Sequence, residues 1–273
     1  MGILIRQELF KLSRKHSTWI STALMILMQI GFAIIAKTNA QMVSPESAFQ
    51  STFFANPLIL YFMIAACATI ITMEFQYGTI RALIYRKYSR GQVLVSKWIC
   101  MFIYSVYWYA LSFVVSLVLR EFMFKHVINL HAHTDGISVF RYTIMVDGGK
   151  FVTLWLLLSL VFLLANVFRN SAAAVSVGII GYFAANLVMQ LLVVLIQQYD
   201  WIKWNPLTMM LYPSLLSDRD TYTKLLNLTN TQMFFGNIFY IALFLWIGYY
   251  FFKKTQYLDV ILGSLSTGIG GEF

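Results

Sequence analysis

Hydrophobic positions along this chain gather into six long runs without a charged residue, separated by short clusters that carry nearly all the charge. The runs extend from Thr18 to Ala36, Phe53 to Met73, Trp98 to Leu119, Phe151 to Phe168, Ala172 to Ile196 and Phe235 to Phe252. A hydrocarbon core about 30 Å thick takes about 20 helical residues at a rise near 1.5 Å. Each run therefore predicts one membrane-spanning helix. Pro57 falls in the first turn of the second span, where a missing amide proton costs little. Arg169-Asn170-Ser171 alone separates the fourth span from the fifth and predicts a tight hairpin. The fold class is all-α integral membrane: six transmembrane helices preceded by an N-terminal amphipathic interfacial helix.

That first helix covers residues 1–16, with Ile5, Leu9 and Leu12 on one stripe and Arg6, Lys11 and Arg14 away from it. The apolar run after it is too long for a secretory signal and lacks a small-x-small cleavage site, so it is expected to be retained. Composition agrees with a membrane protein. Of the 273 residues 59% are hydrophobic and only 11% charged, which excludes a soluble enzyme core.

The net charge of +9 would suggest nucleic acid in a soluble protein. Here the basic residues flank apolar spans, where they meet anionic lipid and set orientation, so no nucleic-acid partner is expected. With the N-terminus inside, the inner segments hold twelve basic and four acidic residues, and the much longer outer segments eight and seven. Both termini are therefore expected to be cytoplasmic, in the plasma membrane. Cys67 and Cys100 fall inside apolar runs and read as small buried hydrophobes.

Three stretches outside the spans carry information. The inner loop 74–97 reads EFQYGTIRALIYRKYSRGQVLVSK, in which Thr79 to Tyr88 can form a short, rigid, amphipathic helix bearing basic residues. Two long outer loops are expected at 120–150 and 197–234. The second is half apolar and broken at Asn205-Pro206 and again at Pro213, which predicts a re-entrant or interfacial segment covered by protein.

Candidate chemistry is sparse. The spans hold amides, Gln29, Asn166, Asn186 and Gln190, but no ionisable side chain of the kind an ion-coupled transporter or intramembrane enzyme needs. These amides read as interhelical hydrogen-bond partners or as the lining of a cargo path. No HExxH motif occurs, and His126, His131 and His133 have Asp135 as their only close carboxylate, so no metal site is expected. The phosphate-cradling pattern GxxxxGK followed by Ser or Thr is also missing, so the chain cannot hydrolyse ATP alone. Small residues Ala172 to Ala174, Gly178 and Gly181 serve either a dimer seam or packing within the chain.

The loop spacing of Glu74, Gly78-Thr79, Arg81, Ser89-Arg90 and Lys97, with the layout of interfacial helix and six spans, resembles the permease subunits of type-two ABC exporters. That class includes bacterial drug, bacteriocin and antimicrobial-peptide exporters and their self-immunity systems. The resemblance implies a non-enzymatic permease that pairs with a second permease chain, identical or homologous. Each would sit on a separate ATP-binding-cassette subunit, which holds the ATP and Mg; no cofactor is implied in this chain. It further implies that Glu74, Gly78, Thr79, Arg81, Arg86, Lys87, Arg90 and Lys97 form the ATPase-coupling loop. Asn205, Pro206 and Pro213 would mark an outer gate. A pathway rich in aromatic side chains, Leu, Met and amides suits a hydrophobic or amphipathic cargo, such as a peptide, drug or lipid-like molecule. The other reading is a non-transporting membrane immunity or scaffold protein that binds a peptide or partner proteins.

Overall fold

The computed structural model describes residues 1–76, 90–130, 133–134, 137–168 and 170–268. Side chains at 74–76, 90, 133–134, 167 and 252–268 lie outside that description. In chain order the helices are α1 (Gly2–Arg14), α2 (His16–Thr38), α3 (Pro45–Gln50), α4 (Ala55–Gln76), α5 (Arg90–Met123), α6 (Val139–Phe168) and α7 (Ser171–Ile196). After α7 come α8 (Pro206–Met209), α9 (Tyr212–Ser217), α10 (Arg219–Leu226) and α11 (Asn230–Gly268). A two-residue hairpin, His133–Thr134 against Ile137–Ser138, is the only strand pairing among the described residues.

Six helices, α2, α4, α5, α6, α7 and α11, are long and apolar enough to cross a membrane. The fold is an all-α integral membrane bundle. Helix α6 is its axis, packed against α4, α7, α9 and α11; it is the most buried of the six, and α7 and α11 are the least. The main core joins Ile59, Met63 and Ile64 of α4 to Met101 and Trp108 of α5 and Leu158 and Phe162 of α6. A second core forms under α8 and α9, around Met209, Leu215 and Met233.

Several helices outrun the uncharged stretches that announce them. Helix α5 starts at Arg90 rather than Trp98, and α6 starts at Val139 rather than Phe151. Much of the expected 120–150 outer loop is thus helix, and the extensions carry Lys97, Asp147 and Lys150 into the bundle. The expectation of spans without ionisable groups is corrected here. Each of these three charges is paired: Lys97 with Glu8, and Asp147 with Lys150 one turn along α6. Pairing offsets part of the cost that an isolated buried charge would impose.

Before α4 the backbone turns sharply. Thr52, Phe53 and Phe54 adopt φ of 50°, 46° and 66°, a left-handed run without glycine that costs about 1–2 kcal/mol per residue. Two amides hold it. Gln29 Nε2 donates to the Thr52 carbonyl at 3.1 Å, and Asn56 Nδ2 donates to Thr52 Oγ1 at 2.7 Å.

Candidate functional site

Helix α1 buries Leu4, Glu8 and Leu12, a stripe with i, i+4 spacing. The stripe that faces the protein is thus turned from the one read by apolar pattern alone, and it has a carboxylate at its centre. Helix α5 supplies the partner. Lys97, only 3% exposed, places Nζ 3.2 Å from Glu8 Oε2 and donates to the Ile70 carbonyl of α4 at 2.9 Å. Lys11 adds a second cation 2.7 Å from Glu8 Oε1. Burial pushes the Glu8 carboxyl upward, but the attraction of Lys97 and the bonds from Lys11 outweigh it and hold the group below the usual carboxylate range. One ammonium thus ties α1, α4 and α5 together at the end of the bundle where α4 stops and α5 starts.

Those two helix ends bracket the expected coupling loop. Gly78, Thr79, Arg81, Arg86 and Lys87 lie outside the described residues. Glu74 falls in the last turn of α4 and Arg90 opens α5, their side chains likewise outside the description. Of the residues assigned to coupling, Lys97 alone is described in full, and it faces the interior. Six residues before it, at the start of α5, Gly91 lies so close to Tyr249 of α11 that a Cβ there would meet the phenol oxygen at 2.7 Å.

At the opposite end, residues 200–226 fold into a 3-10 turn and the short helices α8, α9 and α10. Asn205 caps α8: its Oδ1 accepts from Thr208 N at 2.9 Å, and Pro206 occupies the first turn, where its lost donor is harmless. Pro213 does the same for α9. Asn205 and Pro206 therefore end one element and start another, as a re-entrant path requires. Helix α11 holds the segment. Asn237, fully buried, donates to the Met209 carbonyl at 3.0 Å, and Tyr240 donates to the Trp204 carbonyl at 2.6 Å. Two glycines let the segment approach: a Cβ on Gly236 would meet Met209 Sδ at 2.5 Å, and one on Gly149 would collide with Leu216. Replacing Asn237 by Leu removes this tie. A loss of about 1–2 kcal/mol is expected, read as faster amide exchange over 205–217 than in wild type.

The four span amides divide by role. Gln29 is fully buried and spends its donors on Thr52, Ser112 and Ser116, which makes it a fastener of α2, α5 and the turn before α4. Asn166 bonds its own helix at Phe162 and lies beside Gly248 of α11. Asn186 bonds the Tyr182 carbonyl and lines a cavity, whereas Gln190 is exposed on α7. Gly178 packs against Ile64 and Val161 within the chain, while Gly181 has nothing within 4 Å. Of the two roles open to the small residues of α7, Gly178 takes the intrachain one.

Sequence reasoning missed Glu8, Asn56, Asp147, Gly149, Gly236 and Asn237. A signal existed for some. Glu8 stands four residues from both Leu4 and Leu12, and Asp147 precedes Lys150 by three, a spacing that pairs on a helix. Among the described residues no group of three His, Cys, Asp or Glu is placed to hold a metal ion.

Comparison with known proteins bears on this architecture. Residues 4–186, from α1 through most of α7, match the family model described as ABC-2 family transporter protein. The chain is 27% identical over 186 residues to the uncharacterized membrane protein YdbK of Bacillus subtilis, covering 67% of this chain and 74% of that one. It is also 26% identical over 152 residues to the uncharacterized protein YhcI of the same organism, where the match spans 52% of this chain and 48% of the relative. The matched region contains the Glu8–Lys97 pair and both helix ends that bracket the inner loop. The chain belongs to the ABC-2 family of transporter proteins, as a multi-pass membrane component and not a catalytic one.

Proposed function

We propose that this chain is the permease half of an ATP-driven exporter in the plasma membrane, with both termini cytoplasmic. It pairs with a second permease chain, and each contacts a separate ATP-binding-cassette subunit that holds ATP and Mg. The cargo is hydrophobic or amphipathic: a peptide, drug or lipid-like molecule, within the bacterial drug, antimicrobial-peptide export and immunity group. The observation that carries this reading is the Lys97 node. Helices α4 and α5 enter and leave the inner loop, and their ends are tied to each other and to α1 by one buried ammonium.

In this mechanism the basic loop, with Arg81, Arg86, Lys87 and Arg90, seats on the ATP-binding subunit. Glu74 and Gly78-Thr79 set the angle between α4 and the loop. Because Lys97 joins α1, α4 and α5, a push on the loop moves the three helix ends as one body rather than bending each separately. The movement reaches the outer segment through α6, which packs on both α4 and α9. Asn205, Pro206 and Pro213 then act as the outer gate, with α8 and α9 swinging away from Gly149 and Gly236.

Co-expression with an ATP-binding subunit from the same host, followed by purification through a tag on the permease, tests the proposal. A stoichiometric complex retained in lipid is expected. A permease that purifies alone under all conditions would overturn the transporter reading and favour the scaffold one.

A further inference from the structure

A cavity of about 350 Å³ lies between α4, α5, α6, α7 and the outer segment, in the size range of small-ligand sites. Its body is apolar, with Leu60 of α4, Leu157 of α6 and Met189 of α7 in the wall, and Met210 and Pro213 of the outer segment cover it. Hydrogen-bond donors from three helices line it: Tyr109 of α5, Lys150 of α6 and Tyr182 of α7. Lys150 Nζ donates to Asp147 Oδ1 at 3.1 Å, an oxygen that also accepts from Asn56 Nδ2 at 3.2 Å. An ammonium has three N–H groups, so two remain open on a side chain that is 24% exposed. Neither tyrosine hydroxyl has a hydrogen-bond partner among the described residues, and neither is sealed off: unlike the indole nitrogens of Trp98 and Trp108, both keep accessible surface. Tyr109 lies within electrostatic range of Tyr182 and of Asp147, the partner of Lys150, so the three donors share one end of the cavity.

The other polar side chains of the wall do not add to this set. Ser51 commits its hydrogen to the Ala48 carbonyl, and Asn56 commits its own to Thr52 and Asp147. Asn186 spends Nδ2 on the Tyr182 carbonyl at 2.7 Å and leaves Oδ1 as an acceptor. Donors left open in a largely apolar cavity are costly unless an oxygen meets them. Fixed charge, by contrast, is already balanced by the Asp147–Lys150 pair: an anionic ligand would face the carboxylate of Asp147, and a cationic one the ammonium of Lys150. We infer that this cavity binds an uncharged carbonyl compound, an ester or an amide, whose oxygen accepts from the donor set of Tyr109, Lys150 and Tyr182 while its apolar chain lies against Leu60, Leu157 and Met189. An amide N–H would also meet Asn186 Oδ1, which an ester leaves open. That the occupant is the transported cargo rests on the proposed function; occupancy of the cavity does not.

Photolabelling of the whole chain, without any ATP-binding subunit, tests the site in nanodiscs of ether-linked phosphatidylcholine, whose lipids carry no carbonyl. The probes are decane, methyl decanoate, N-methyldecanamide and decanoate, each with a diazirine in the chain. Saturable labelling of α4, α6 and α7 peptides by the ester or the amide is expected, with the alkane and the carboxylate well below them. The stronger of the two tells an acyl-lipid source from a peptide one. Tyr109→Phe and Tyr182→Phe should each lower that labelling about fivefold. Neither should move the thermal midpoint, because the lost hydroxyl has no partner in the chain; a lowered midpoint would assign the hydroxyls to folding and overturn the site. Leu60→Trp, which fills the space, should abolish labelling. Decanoate as the best-labelled probe, equal and unsaturable labelling by all four, or undiminished labelling of either Phe variant would overturn the inference and leave the exporter proposal standing. Failure to capture an ATP-binding subunit would do the reverse.

Discussion

Replacing Lys97 by Met is expected to destabilise the protein more than any other single change considered, by about 3–5 kcal/mol, because it strands a buried carboxylate. The Glu8 side chain is 9% exposed and Lys97 supplies its longest-range partner, 89 residues away in sequence. Lys11 remains beside Glu8, but its own side chain is 61% exposed. The Ile70 carbonyl also loses a donor. Helix α1 should then detach from α5, seen as protease cleavage within the first fifteen residues and a lower thermal midpoint. Adding Glu8→Leu to Lys97→Met should recover most of the loss, since a pair of matched apolar residues can replace a buried ion pair at little cost. A single variant as stable as wild type would show that the pair is not what holds α1.

A second large effect is expected at Gly178, where Leu should force α7 off the bundle. A Cβ there would meet Ile64 Cγ2 of α4 at 2.8 Å and a Val161 methyl of α6 at 3.4 Å, and Leu adds three more carbons in the same direction. Overpacking of this kind costs about 1–3 kcal/mol where neighbours can yield. Movement of α7 also displaces Tyr182, Asn186 and Met189 from the cavity wall. Gly181→Leu is the control: with open space around that position, the same substitution one turn away should leave the thermal midpoint unchanged. Scanning fluorimetry of both variants in detergent separates the outcomes, and equal midpoints would contradict the packing argument.

Six spans and the broken outer segment were legible because each rests on local signals: apolar run length and prolines. The N-terminal helix was legible as an element, but its buried stripe was not. An apolar pattern locates Ile5, Leu9 and Leu12, whereas the protein-facing side is chosen by Lys97, a residue no local window includes. Helix α6 was cut short in the same way. Asp147 and Lys150 look like loop residues until Asn56, 91 positions earlier, accounts for one oxygen of that carboxylate. The left-handed turn at Thr52–Phe54 has no glycine to announce it, and the residues that hold it lie in α2 and α4. What sequence patterns miss here are polar contacts made across the bundle, and these are the contacts that define both the Lys97 node and the cavity.

The most direct test of the central claim is ATP turnover by the complex of this chain with its ATP-binding subunit in lipid, with charge reversed at Arg81 and Arg86. The account predicts that the double variant folds and inserts as wild type does, with an unchanged thermal midpoint, yet loses association with the ATPase or loses cargo-stimulated turnover. Cargo-stimulated turnover at the wild-type rate in Arg81→Glu, Arg86→Glu would contradict it.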